Sequence, residues 1–199
     1  PPPATAVEAS ARHLPAEYAG LVERCRDHIR EGDAYQLCLT TRFTLDQPVD
    51  AVAAYRRLRA ATPSHHGGFI RIGGVVLASA SPEQFLEVGD GVVRTKPIKG
   101  TRPRGATPDE DAALAAELRA SEKERAENVM IVDLMRNDLL RVCEPGSVTV
   151  PSLLDVESYP QVHQLVSSIQ GRLRPGLDGV DAIRACLPAG SMTGAPKQR

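Results

Sequence analysis

The sequence predicts an α+β fold, antiparallel sheets flanked by helices, on three observations. Strand-like runs between residues 68 and 95 are joined by Gly73-Gly74 and Asp90-Gly91, dipeptides suited to the tight turns of antiparallel hairpins. Apolar residues recur at helical spacing in several separate stretches. Helices and strands do not alternate one for one, as a parallel sheet with crossover helices requires.

Each element follows in order. Leu14, Tyr18, Leu21, Val22, Cys25 and Ile29 predict an amphipathic helix, with Gly32 as its C-terminal stop. Residues 34–45 are rich in β-branched and aromatic side chains and alternate around Tyr35, Leu37 and Leu39, the pattern of a half-buried strand. Pro48 opens a second helix that ends at Thr62-Pro63. The runs FIRI, VVLASA, QFLEV and VVRT predict an antiparallel meander. Residues 96–108 gather Pro, Gly, Lys and Arg with neither period and read as a loop.

Residues 109–141 form the longest periodic segment, and its VMIVDLM half is apolar nearly all round, as expected of a helix buried on several sides. Glu144-Pro145-Gly146 is a turn into SVTV, and QVHQLVSSIQGRL reads as a further strand. Asp178 caps a last helix to Leu187, before a Gly-rich loop, PAGSMTGAPK. No repeat or low-complexity linker marks a boundary, so residues 1–199 read as one domain.

Composition narrows the functional classes. The 199 residues are 42% hydrophobic and 25% charged, with a formal net charge of -1. That balance gives no reason to expect a nucleic-acid partner. No apolar run approaches the roughly 20 residues that span a bilayer, and the Pro1-Pro2-Pro3 start resembles neither a signal nor a transit peptide. The expectation is a cytoplasmic protein with no membrane partner. The spacing of Cys25, Cys38, Cys143 and Cys186 fits neither a zinc ribbon nor a dithiol motif, so they read as buried free thiols.

The chain has 20 Arg and only 4 Lys. A position that needs a neutral nitrogen or a compact point charge must resist that bias, because Arg keeps its proton. Lys99 and Lys197 are therefore functional candidates. Arg94, Lys96, Lys99, Arg102 and Arg104 cluster within eleven positions. Such a group attracts an anion, and neighbouring positive charges favour a neutral, nucleophilic lysine. A solvated basic loop is the other reading; Gly100-Thr101, which permits close backbone approach to a ligand, favours the first.

Glu124 and Glu127 lie three apart on one helical face, a pair that suits Mg2+ or simply a solvated helix. Glu83 follows Ser81-Pro82 at a strand entrance. His163 and Gln164 are neighbours on a strand and point to opposite faces, so only one can serve a given site.

Taken together, GDAYQLCLTTRF, ASASPEQF, TKPIKGTRPRG, ERAENVMIVDLMRNDLLRVCEPGSV, VHQLVSS and PAGSMTGAPK resemble the chorismate-utilising enzymes, in that family's order and spacing across nearly the whole chain from Gly32. The resemblance implies a chorismate-binding fold like that of anthranilate synthase component I, incomplete in this chain. Lys99, where anthranilate-forming members carry Ala, implies the branch that forms 4-amino-4-deoxychorismate. Gln164, where those members carry His, agrees.

In that branch the resemblance implies Lys99 as nucleophile and Glu83 as the acid for the leaving hydroxyl. It also implies Glu127 with Glu124 as Mg2+ ligands, and Gly100, Thr101, Gln164 and Ser191 as substrate contacts. A glutamine amidotransferase, fused or separate, is the implied source of ammonia. The family continues beyond Ala-Pro-Lys into further metal and substrate residues and carries an N-terminal domain. The chain is therefore expected to be a catalytic domain truncated at both ends and inactive alone.

Overall fold

A two-residue strand, β1 (Ser10–Ala11), precedes α1 (Pro15–Arg30) in the computed structural model, which describes residues 8–197. The Pro1-Pro2-Pro3 lead and Arg199 lie outside the described residues. Pro15 opens α1, where its missing N–H costs nothing, and the Glu17 carboxylate accepts the Leu14 N–H at 2.9 Å. Gly32 stands just past the helix end at φ +81°, as its position predicts.

The strand expected over 34–45 is reduced to β2 (Gln36–Leu37) and β3 (Phe43–Thr44). Strand structure needs a pairing partner along its length, and β1 offers β3 only two residues. Tyr35 and Phe43 are exposed rather than half-buried. The second helix, α2 (Ala51–Ala61), starts three residues after Pro48 because Asp50 caps it, accepting the N–H groups of Val52 and Ala53.

The hairpin β4 (Gly68–Ile72) and β5 (Val75–Ser79) turns on Gly73 and Gly74, both at positive φ. The next hairpin, β6 (Gln84–Gly89) and β7 (Val92–Lys96), turns on Asp90 and Gly91, again both at positive φ. The expected single meander is two hairpins in different sheets. The chain divides between them into two compact units, Pro1–Pro82 and Glu83–Arg199, a division that no linker composition marks.

In the second unit, β8 (Ile98–Pro103) replaces the loop expected over 96–108. Pairing to a neighbouring strand overrides a composition poor in strand formers. The long helical segment is two helices, α3 (Pro108–Ala120) and α4 (Glu122–Leu140), because Ser121 ends one and caps the next through the Glu124 N–H. The strands β9 (Thr149–Ser158) and β10 (Val162–Arg172) follow. The last helix is α5 (Gly179–Cys186), with Asp178 accepting from Val180 and Asp181. The Gly-rich loop contains a single helical turn, α6 (Gly190–Thr193), and β11 (Gly194–Ala195).

The main sheet is antiparallel, and β10 is its axis. It pairs with β9 along one edge, while β8 and then β7 share the other, and β6 completes the order beyond β7. Helix α4 packs on β10 and β8. Val93, Ile131, Val132, Met135, Leu139, Ile169 and Ala182 lie at the centre of the resulting core. Cys143 and Cys186 are buried there as expected, whereas Cys38 is exposed and Cys25 is partly so.

Candidate active site

The position of Lys99 is set by a defect in the sheet. Thr101 pairs with Gln164 and Ile98 with Val166, so Lys99 and Gly100 together stand opposite Leu165. One extra residue on β8 makes a β-bulge, which bends the strand and re-aims a side chain. Gly100 takes φ +87°, and a Cβ there would meet Glu124 Cβ and Leu118 Cδ1 at 2.9 Å. Glycine thus permits both the turn of the backbone and the close approach of α4.

Glu83, at the entrance to β6, meets three partners from separate elements. Its carboxylate accepts hydrogen bonds from the Ile98 N–H and the Ser191 hydroxyl and faces the charge of Lys99. Burial pushes the Glu83 carboxyl above the ordinary carboxylate range, although Lys99 and both hydrogen bonds pull the other way. The structure therefore brings Glu83, Lys99 and Ser191 together. Ser191 sits on α6, held close to α4 because Gly190 leaves no Cβ against Leu134.

The five-cation cluster is not an open basic loop. Lys96 Nζ lies 2.7 Å from Glu157 Oε1. Arg102 forks onto Glu117 with two bonds of 2.8 Å and reaches Glu124 at 3.7 Å. Arg104 forks onto Asp111 and also donates to the Tyr159 carbonyl at 2.7 Å. These hydrogen bonds from Arg104 and the Gly105 N–H hold Asp111 well below the usual carboxylate range, and Arg102 likewise lowers Glu117. The expectation that neighbouring bare cations act on Lys99 is corrected: three of them are matched by carboxylates.

Lys197 is corrected too. Its amine bonds Asp138 Oδ2 at 2.6 Å and the Cys186 carbonyl at 2.7 Å, an enclosed ion pair that fastens the end of the chain to α4. Among the described residues, Lys99 takes part in no ion pair within 4 Å of the kind that holds Lys96 and Lys197.

Glu124 and Glu127 lie one turn apart on α4, with Glu124 against the bulge at Gly100. Glu124 is largely enclosed beside Arg102, while Glu127 is half-exposed with Lys123 at 3.7 Å. Their donor chemistry, carboxylate oxygens on a single helix, fits a hard cation that takes one or two protein carboxylates and completes its shell elsewhere. The described residues that cluster as three possible metal ligands are His28, Glu31 and Asp33, all exposed at the end of α1.

Gln164 lies between Thr101 and Glu157 in the register of β8, β10 and β9, so these side chains emerge on one face. His163 turns to the other face, as alternation predicts. It is 1% exposed and bonds Ser158 Oγ at 2.8 Å and Asp111 Oδ1 at 2.9 Å. Asn128 carries no motif that marks it. It is fully buried on α4 and bonded to β10; its helical spacing to Ile131, Met135 and Leu139 was the signal that it faces inward.

The whole chain, residues 1–199, matches the family described as chorismate binding enzyme. An aminodeoxychorismate synthase of Streptomyces pristinaespiralis is 50% identical over 195 residues, 98% of this chain and 27% of that protein. Anthranilate synthase component 1 of Streptomyces coelicolor is 46% identical over 185 residues, 92% of this chain and 36% of that protein. The crystal structure of anthranilate synthase component I from Streptococcus pneumoniae TIGR4 superposes with a TM-score of 0.83 at 39% identity, covering 97% of this chain and 42% of that one. The chain thus spans about a quarter of the length of the Streptomyces aminodeoxychorismate synthases it matches. Among the described residues, no helix is long and apolar enough to cross a membrane.

Proposed function

The chain belongs to the chorismate-binding enzymes, and from that premise we propose that it carries the catalytic residues of an aminodeoxychorismate synthase component I acting in the cytoplasm. The reaction converts chorismate and ammonia to 4-amino-4-deoxychorismate and water, on the route to p-aminobenzoate and folate. The apposition of Lys99 and Glu83 is the observation that carries this reading. A half-buried carboxyl that keeps its proton to higher pH than usual is suited to general acid work beside an amine nucleophile.

In this scheme the nitrogen lone pair of Lys99 forms a bond to ring carbon C2 while the ring double bonds shift. The C4–O bond then breaks, and the hydroxyl leaves as water with a proton from Glu83. Ammonia next adds at C4, the double bonds shift back and the C2–N bond to Lys99 breaks, which restores the free amine, and the added nitrogen returns a proton to Glu83. Gly100 and Thr101 offer backbone and hydroxyl contacts on the bulged strand, Gln164 stands beside Thr101, and Ser191 orients Glu83 as well as lining the site. Glu127, with Glu124 behind it, would hold Mg2+, which when bound neutralises a substrate carboxylate and fixes the ring. A glutamine amidotransferase, fused or separate, supplies the ammonia.

Anthranilate synthase is the competing reading, and product identity separates the two. The full-length protein, given chorismate, Mg2+ and ammonium, is expected to yield a compound that becomes p-aminobenzoate only after a lyase is added. Fluorescent anthranilate as the direct product would overturn the assignment. Glu127→Gln is expected to abolish the Mg2+ dependence of turnover; an unaltered Mg2+ titration would remove Glu127 from the metal site.

A further inference from the structure

Asn128 follows Glu127 on α4 and has no solvent exposure. A buried amide is costly unless its donor and acceptor are both used, and here both are. Its Nδ2 donates to the Leu165 carbonyl at 3.1 Å. Its Oδ1 accepts from the Ser167 hydroxyl at 2.6 Å, and that hydroxyl oxygen accepts the Leu154 N–H at 3.0 Å. Because a carbonyl can only accept, the network fixes which way the amide faces.

Leu165 is the residue of β10 that stands opposite the Lys99–Gly100 bulge. One side chain therefore ties the helix bearing Glu124 and Glu127 to the strand position against which Lys99 is presented. Apolar packing alone would let α4 settle wherever side-chain volumes allow, whereas a directional bond to one carbonyl specifies a register. We propose that Asn128 is a positioning residue that sets the separation between the α4 carboxylates and the Lys99 amine. This inference rests on the chorismate reading above and extends it beyond the groups that touch substrate.

The test compares Asn128→Ala, Asn128→Leu and Ser167→Ala in the full-length protein. Ser167→Ala also removes buried hydrogen bonds but leaves the Asn128 to Leu165 bond in place. The first readout is the Mg2+ concentration that gives half-maximal chorismate binding by calorimetry. The second, without metal, is amide exchange around Lys99, Gly100 and Thr101. Both Asn128 variants are expected to raise the Mg2+ requirement about tenfold or more, in line with the loss of an outer-shell support, and to speed exchange at the bulge. Ser167→Ala is expected to shift the requirement by less than about threefold at a comparable loss of thermal stability.

Should Asn128→Ala fail to fold, Asn128→Leu, which is close in shape and adds no charge beside Glu127, carries the test. Asn128 variants that bind with a wild-type Mg2+ requirement, or a Ser167→Ala shift as large as theirs, would overturn the positioning role alone. A wild-type protein that binds no chorismate in Mg2+ would overturn the reaction assignment and this inference with it.

Discussion

Residues 8–82 and residues 83–197 are built from the same kinds of element, yet they differ in what those elements bury. Among the described residues of the first, Ala34 is the buried apolar side chain, and neither α1 nor α2 buries any residue. Tyr35 is 78% exposed and Ile72 73%. In the second, α4 alone buries six residues, including Ile131, Val132, Met135 and Leu139 of the core. Apolar spacing thus specifies the type of an element, whereas burial depends on what the rest of the fold lays against it. Every residue proposed for chemistry, from Glu83 to Ser191, falls in the better-packed region, where a site can be held rigidly.

The largest effect that sharpens this contrast is chemical. Lys99→Ala should cut turnover by about a thousandfold or more while chorismate affinity changes little, since the nucleophile acts in the reaction rather than in binding. Steady-state kinetics alongside calorimetry checks this; an equal loss of affinity would make Lys99 an anion-binding residue instead.

Packing comes next. Leu139→Ala is expected to destabilise the chain by about 2–5 kcal/mol, whereas Ile72→Ala should stay within about 0.5 kcal/mol. Urea unfolding of both variants measures the two values, and comparable losses would break the comparison.

The pH dependence has a definite sign. Burial raises Glu83, so its acid form persists above the ordinary carboxyl range and is lost as pH rises through the raised value. The falling limb of kcat against pH is expected in that window. Ser191→Ala removes a bond that favours the ionised form and should move the limb to higher pH; a downward shift would contradict the contact. Smallest are the caps: Asp178→Ala should cost about 1 kcal/mol, and Asp50→Ala about the same locally. For Asp50 the loss should appear as faster amide exchange confined to α2.

Much of the fold was legible because its signals are local. The Gly73-Gly74 and Asp90-Gly91 turns demand positive φ, which few residues tolerate, and both turned as predicted. The break at Ser121 was also readable, since Ser followed three positions later by Glu is a helix-start signature; the continuous apolar period concealed it. The strand state of β8 was not readable, because it comes from pairing with β10 some sixty residues later.

The site divides along the same line. Glu83, Lys99 and Ser191 are candidates by their motifs, and in the fold Glu83 bonds Ser191 and faces Lys99. That Lys96 and Lys197 are committed to Glu157 and Asp138 was hidden, because those partners lie 61 and 59 positions away. Composition singled out Lys99 and Lys197, and clustering added Lys96; tertiary pairing left Lys99 as the candidate nucleophile.

The central claim is tested most directly by mass spectrometry of the peptide containing Lys99, taken from full-length protein quenched during incubation with chorismate and Mg2+ in the absence of ammonia. A covalent adduct on Lys99 that disappears when ammonium is added is expected. An unmodified Lys99 peptide under conditions where added ammonium gives 4-amino-4-deoxychorismate would contradict it.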